Sequence, residues 1–507
     1  MNKDMDNSPV SNFLNEVTDQ ISYKPLRPAI RQELEDHIED RMEEYESQGI
    51  STADAERQVI HGMGDAVIIG TELNEAHKLQ KAPRLAVISA LLLLIGFAFS
   101  SYMQWSPEQS ANGFLYYIPG GILLIVTALK GYPLVIRYRK AIALLICIPY
   151  LVKIIILDLL LDTSFWYASP TISYFAVLLV SPVFIVLLYC IRQSRKDLLI
   201  AVFGGAFLWL VSSKLSYSFS ADTAAVIFLL STFITIGFMI HRGIFSGKKI
   251  YLYSAVIAFM VFLGSPLFLT DSGRTNMKNF LTPQSSVRAT WDDTYNAILI
   301  QELLSKTPLS HGLELSSEEL MNYGTGAWYF ASRDPKFLYI NASEFETDKE
   351  QEEVYEKVRI LREQGYSPRY IYFTEDNVTI WDVLPQHYHN NYLIAVTIIL
   401  FGWLPGLALI GAIVLFFVFL FSCINRIHGK LASSLAFCCG QCLLWQGVFY
   451  LLGNFGYQYS TFPNLPMISE GRVSIMFNML LLGLIFSAYR YDRVMEEPVD
   501  YKPVAPA

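Results

Sequence analysis

The chain has 507 residues, of which 53% are hydrophobic and only 17% charged, where a soluble protein carries roughly a quarter. Mean hydropathy is +0.34 and formal net charge −8; together they exclude a soluble fold for most of the chain and lack the basic excess of a nucleic-acid binder. The charge is uneven, because Met1 to Pro83 holds 17 Asp and Glu against 8 Lys and Arg, so an acidic soluble module precedes a near-neutral apolar body.

The N-terminal 83 residues read as a small helical domain. Ser8 or Ser11 offers a hydroxyl cap for a first helix carrying Phe13, Leu14, Val17 and Ile21 on one face. Pro25 and Pro28 punctuate the chain before a second helix. Its apolar stripe is Leu26, Ile30, Leu34, Ile38, Met42 and Tyr45, and its other faces carry Glu33, Glu35, Asp36, Glu39, Asp40, Glu43 and Glu44. Gly49 ends that helix, and Ser51 with Asp54 three residues on has the pattern of a capping box for a third. The turn Gly62-Met63-Gly64-Asp65 leads into a fourth helix through Ile68, Ile69 and Leu73. The acidic run Glu39 to Glu44 reads first as a solvated helix face, with a docking face or divalent-cation site as the sharper alternatives.

From Arg84 onward the apolar runs are long enough to cross a hydrocarbon layer of roughly 30 Å. They lie near 84–104, 113–130, 141–161, 171–191, 197–217, 222–240, 250–270, 392–422, 431–456 and 472–489. The second contains Pro119-Gly120-Gly121, where a kink is expected. The expected class is therefore all-α, a polytopic membrane protein of about ten transmembrane helices. No secretory signal is expected, since the first apolar run follows a folded polar domain.

Basic residues set the expected orientation. Arg137, Arg139 and Lys140, then Arg192, Arg195 and Lys196, then Arg242, Lys248 and Lys249, then Arg426 and Lys430, and finally Arg490 and Arg493 follow the even-numbered runs. The positive-inside rule then puts both termini in the cytoplasm. The domains read as 1–83 cytoplasmic, 84–270 with helices one to seven, 271–391 as a large outer loop, 392–493 with helices eight to ten, and 494–507 as a cytoplasmic tail. A loop of that length is a small domain or a lid. It carries a helical pattern over Glu350 to Gln364 and a strand-like stretch over Tyr370-Ile371-Tyr372-Phe373.

Two resemblances suggest function. Glu33-Leu34-Glu35-Asp36-His37-Ile38-Glu39-Asp40, Met63-Gly64-Asp65 and Gly70 resemble the prefix domain found before permease-like membrane regions in Firmicutes, which implies a regulatory module with a cytoplasmic partner. From about Arg84 to Arg493 the chain resembles the FtsW/RodA/SpoVE family of cell shape, division and sporulation proteins. The segment Leu384-Pro385, His389-Asn390-Asn391-Tyr392-Leu393-Ile394-Ala395, then Gly402, Trp403 and Gly406, looks like the family's approach to its eighth helix. Gly453-Asn454-Phe455-Gly456, Leu465-Pro466-Met467-Ile468-Ser469-Glu470-Gly471 and Ser474 look like its signature before the tenth helix, and Arg274, Phe280, Pro283 and Tyr295 like its path into the outer loop.

That family's members are glycosyltransferases of peptidoglycan synthesis in the bacterial cell membrane. The resemblance implies a lipid-linked peptidoglycan precursor (lipid II) as substrate and a penicillin-binding transpeptidase as partner. It also implies a carboxylate base, and a divalent cation such as Mg or Mn assisting the departing pyrophosphate if the chain is active. Substrate-binding positions carried over are Arg274, Pro466, Ser469 and Gly471; Glu470, which replaces an aromatic of the signature, reads as a substrate contact or a solvated loop end. The chain departs from the pattern where chemistry matters. Asn391 stands at the family's catalytic aspartate, Ile399 and Leu400 where paired glutamates are expected, and Pro170-Thr171-Ile172 with Phe175 at a Pro-Ser-Glu motif followed by lysine. An amide accepts no proton.

Asp382, beside Trp381 and Leu384-Pro385, is the first substitute base, ahead of Glu375, Asp376, Asp292 and Asp293; each also reads as an ordinary loop carboxylate. Lys153, inside an apolar run, is a candidate substrate cation or a snorkelling side chain. His387 with His389 has the spacing of two metal ligands without a third, and no metal site is assigned. All six cysteines, Cys147, Cys190, Cys423, Cys438, Cys439 and Cys442, lie in or beside apolar runs and read as packing residues. The functional expectation is a divergent member of this family that binds the precursor and polymerises it if a base has been relocated. Its competitors are an inactive scaffold, a lipid flippase or transporter, and an anchored sensory protein.

Overall fold

A computed structural model describes residues 8–103, 113–152, 170–193, 221–285, 293–341, 348–371, 378–385, 387–459, 464–469 and 471–497. The N-terminal helices form as their caps dictate. Helix α1 (Pro9–Asp19) is capped by Ser8, whose hydroxyl accepts from the Ser11 N–H at 3.0 Å. Helix α2 (Arg27–Ser47) buries Ile30 and Ile38, and its acidic face is solvated. Ser51 caps α3 (Thr52–Met63), and Asp65 accepts from the Val67 and Ile68 N–H groups at the start of α4 (Ala66–Ala76). Phe13, Leu14, Val17, Ile38, Val59 and Ala66 make a small core of their own. This unit sits against the end of the last membrane helix: the Gln80 N–H donates to the Arg490 carbonyl at 3.1 Å, and the rings of Tyr23 and Tyr491 meet edge-on. The end of the bundle that bears it is called proximal below, and the opposite end distal.

Helix α5 (Pro83–Met103) runs from the proximal to the distal end. Helix α6 (Tyr117–Val152) returns and continues past the basic residues expected to form a loop; the second and third expected runs are one helix broken only at Tyr138 (φ −110°, ψ 17°). No kink occurs at Pro119 to Gly121. Pro119 lies in the first turn, where a missing N–H costs nothing. Helices α7 (Pro170–Cys190), α8 (Ala221–His241) and α9 (Lys249–Gly264) follow, and α9 is shorter than the 250–270 run expected. The fifth run, 197–217, lies outside the described residues, as does the third beyond residue 152.

Between α9 and the last helices lies the large polar segment. It contains α10 (Asp271–Leu281), α11 (Asp293–Lys306), α12 (Ser317–Thr325) and α13 (Ala327–Arg333). Then come β1 (Phe337–Asn341), α14 (Asp348–Glu363) and β2 (Ser367–Ile371), with β1 and β2 pairing in parallel around the connecting helix. The helical pattern at 350–364 is α14; the strand lies three residues earlier than the stretch expected, and its partner β1 was not anticipated. A parallel pair needs a crossover, which α14 supplies. Two short helices close the segment, α15 (Ile380–Val383) and α16 (Tyr388–Asn391). Helix α11 is buried from Thr294 to Ile300, and burial pushes the Tyr295 hydroxyl pKa up. In α12 the Glu319 carboxyl is held below its ordinary range, first by the capping hydrogen bond from the Ser316 N–H and then by Lys306.

The eighth run is not one span. It forms α17 (Leu393–Phe401) and α18 (Trp403–Ile424), broken at Gly402. Gly402 has φ +93°, and a Cβ there would lie 2.7 Å from the His311 backbone nitrogen; only glycine takes that turn without strain. The Trp403 and Leu404 N–H groups, orphaned by the break, donate to the carbonyls of Pro308 and Leu309. Helix α17 is too short to cross a bilayer and is buried from Leu393 to Ile399. Helices α19 (Lys430–Asn454) and α20 (Arg472–Tyr491) complete the bundle. Six described helices are long and apolar enough to span a membrane, and two shorter apolar ones accompany them. Exposed Leu94, Ile122, Ile125, Ile257, Val261, Leu407, Val414 and Val418 put apolar side chains on the outer faces of these helices, as a lipid solvent requires. The chain is an all-α polytopic membrane protein.

Candidate functional site

At the distal end, three segments far apart in sequence meet: the start of α17, the end of α19, and residues 464–471 before α20. The device that joins them is Asn454, fully buried at the last position of α19. Its Oδ1 accepts from the Ile394 and Ala395 N–H groups at 3.1 and 3.0 Å, while its Nδ2 donates to the Asn391 carbonyl at 3.0 Å. These N–H groups belong to the first turn of α17, whose preceding residue Tyr392 provides no side-chain cap. A helix start left without partners inside an apolar core is costly, so a residue one helix away does the capping. Tyr450, one turn earlier on α19, accepts from the Leu393 N–H at 2.9 Å and donates to the Asn390 carbonyl at 2.9 Å.

The same Asn390 carbonyl takes a second hydrogen bond, from the Ser469 hydroxyl at 2.7 Å. Ser469 in turn accepts from the Leu465 N–H at 2.9 Å, closing its own turn. Residue Met467 of that turn has φ +69°, and the Tyr117 hydroxyl holds it by donating to the Ile468 carbonyl at 2.6 Å. Tyr392 donates to Gln458 at 3.1 Å. The buried Asn390 Oδ1 meets no hydrogen-bond donor among the described residues. Asn391 is half-buried beside it. Deeper in the bundle a polar string continues from Ser474 to Asn478 on α20 and across to Gln446 on α19, all buried.

The expected site residues divide on this geometry. Asn391, Pro466, Ser469 and Gly471 fall in or beside the junction, with Pro466 and Ser469 buried. Arg274 is exposed on α10, where it pairs with Asp271 at 2.7 Å. Asp382 closes a capping box at α15: its Oδ2 accepts from both the N–H and the hydroxyl of Thr379 at 2.8 Å. Its carboxylate therefore has a local structural use. Lys153, Glu470, Glu375, Asp376 and Asp292 lie outside the described residues. Phe175, at the family's lysine position, packs on Phe477 at 5.1 Å in the apolar core, and Ile399 is fully buried with its carbonyl accepting from the Leu313 N–H. His387 and His389 are ring neighbours at 6.2 Å. No group of three or more His, Cys, Asp and Glu suited to a metal occurs among the described residues. Cys438, Cys439 and Cys442 are free thiols in the core.

Sequence reasoning missed Tyr450 and the central part of Asn454, though a signal existed. Polar side chains inside an apolar run are expensive and mark a site or a helix contact, and Gln446, Tyr450 and Asn454 recur every four residues along one face of α19.

No family model matches the chain, and no curated protein matches it. Among solved structures, a chain from "Structural coordination of polymerization and crosslinking by a peptidoglycan synthase complex" aligns with 14% identity and a TM-score of 0.46, covering 80% of this chain and 97% of that one.

Proposed function

We propose that this chain is a divergent FtsW/RodA/SpoVE-like protein of the bacterial cell membrane that binds a lipid-linked peptidoglycan precursor at the distal, outward face. Its role is in wall synthesis during division, elongation or sporulation. The observation that carries the reading is convergence: the stretches 390–395, 454 and 465–471, which bear the sequence resemblance, are joined by hydrogen bonds between residues 60 to 79 positions apart and share one junction. On this reading the N-terminal helices are cytoplasmic, and the segment over 271–391 faces outward beside a penicillin-binding transpeptidase.

Asn391 cannot act as the general base, because its amide has no proton-accepting lone pair of carboxylate basicity. Binding therefore outlives polymerisation in this chain. The test is to incubate purified protein with labelled lipid-linked disaccharide-pentapeptide and to measure both retention and glycan product. The expected result is retention without glycan from the parent, and glycan from Asn391→Asp. Glycan from the parent that vanishes with Asp382→Ala would replace the reading by a polymerase with a displaced base. Absence of precursor retention, beside an active family control, would overturn it in favour of a transport role.

A further inference from the structure

The distal junction explains how the turn at 465–469 is held, but not the charge that follows it. Arg472 is the first residue of α20 and is exposed. A cation there opposes the helix dipole, so helix stability does not account for it. The charge pattern of the bundle does not account for it either. Among the described residues, Arg472 is the one Lys or Arg in the distal turn of a spanning helix, whereas Arg84, Lys430 and Arg490 all lie in proximal turns. Departures from two local rules at one position are expected at functional sites.

The guanidinium has a fixed seat. Its carbon lies 5.1 Å from the centre of the Tyr116 ring, in the short turn Gly113–Tyr116 before α6. The next residue, Tyr117, is buried and holds the Ile468 carbonyl at 2.6 Å. On the other side α5 closes in at Gly96, where a Cβ would lie 2.7 Å from the Met467 carbonyl oxygen. The turn leading to Arg472 is thus clamped by α5 and α6. Its planar fork of N–H donors meets no acceptor and no carboxylate among the described residues.

The surface beside it is apolar and faces outward from the bundle. Leu115 and Ile118 flank Tyr116, Ile122 lies one turn further along α6, and Leu94 and Phe97 are neighbours of Gly96 on α5; all are exposed. An unpaired guanidinium at the rim of such a surface is complementary to a phosphate carried on a lipid chain. The fork matches phosphate oxygens, and the chain need not leave the bilayer. We propose that Arg472 is the phosphate-binding residue of the distal site and takes the diphosphate of a polyprenyl-linked ligand, whose chain runs in the bilayer along Leu115, Ile118 and Ile122. The identity of the lipid rests on the precursor-binding reading above; the contact rests on Arg472 alone.

The test is binding of polyprenyl diphosphate, without sugars or peptide, to the full chain in nanodiscs, with polyprenol of the same length as the neutral control. Arg472→Gln is expected to weaken the diphosphate about twentyfold, as the loss of a charge-assisted contact. Arg472→Lys should recover part of this, because the charge returns without the planar fork. Polyprenol should bind parent and variants alike, with the thermal midpoint unchanged. Equal diphosphate affinity in parent and Arg472→Gln, or equal binding of diphosphate and polyprenol by the parent, overturns the proposal. If Arg472→Gln retains the full precursor as well as the parent does, the precursor reading stands and this contact falls. If polyprenyl diphosphate binds through Arg472 while the precursor is not retained, the contact stands and the precursor reading falls. Displacement by inorganic pyrophosphate, or equally tight phosphatidylglycerol, overturns it in favour of a soluble anion or an ordinary headgroup.

Discussion

The two ends of the bundle solve one problem with different chemistry. At each, a helix begins without a side-chain cap of its own, and a residue from another segment supplies the acceptor. At the distal end Asn454 serves the first turn of α17. At the proximal end Glu497 serves the first turn of α19, and Asp492 accepts from the His428 and Gly429 N–H groups just before it. The distal cap is a neutral amide and fully buried. The proximal one is a carboxylate in contact with a polar cavity. Burying a charge costs far more than burying an amide, so the charged cap lies where water and cations reach it. The amide also offers what a carboxylate lacks, a donor for the Asn391 carbonyl. The distal end is thus built for a rigid, neutral backbone frame, and the proximal end for electrostatics.

Changes at these caps test whether the distinction is real. The largest effect is expected from Asn454→Ala, which strands two buried N–H groups and one carbonyl; at roughly 1–3 kcal/mol per buried unsatisfied group, the loss should be about 3 kcal/mol, read as a lower thermal midpoint in detergent and loss of precursor retention together. Asn454→Asp should rescue little, since it keeps the acceptors but loses the donor and buries a charge. Stability matching the parent in either variant would show that the distal frame does not depend on the amide. Glu497→Ala should cost less, about 2 kcal/mol, as loss of a cap near water, with Glu497→Gln restoring about half and precursor retention unchanged in both. A fall in retention would mean that the two ends are coupled. The smallest change is Gly429→Ala. A Cβ there would lie 2.5 Å from Glu497 Oε1, so the carboxylate must move by roughly 1 Å to reach ordinary contact, at a cost of about 1 kcal/mol. Combined with Glu497→Ala it should cost less, because the closest contact is then gone and only the approach to Asp492 Oδ1 at 3.2 Å and to the Ala432 Cβ at 3.3 Å remains.

Much of the molecule was legible from local pattern. Ser8 and Ser51 cap the helices their positions suggested, and Asp65, read only as part of a turn, caps the next, since a cap is decided within three or four residues. The membrane helices followed from hydropathy, because a lipid solvent imposes the same demand on every spanning segment. The helix breaks did not follow. The stretch 392–422 reads as one apolar run, and its division at Gly402 depends on His311 and Pro308 arriving from another part of the chain. The loop expected at Arg137 to Lys140 is a bend within α6, because basic side chains can leave a helix at the membrane edge without ending it. Of the site residues expected by resemblance, Asn391, Ser469 and Gly471 lie in or beside the junction, and Asp382 accepts from Thr379 in a capping box.

What the sequence determined by itself is therefore the class and the local starts: an acidic helical module, then an all-α membrane body whose apolar runs could be nothing else. Hydropathy and capping act over a few residues or one helix, and both are written in order along the chain. Only the tertiary structure decided which backbone groups meet: that Asn454 caps α17, that Ser469 and Tyr450 share the Asn390 carbonyl, and that Glu497 returns to the start of α19. Those pairings span 59 to 79 residues, and they are selected because an unsatisfied polar group in an apolar interior must find whichever partner the packing of helices brings within about 3 Å.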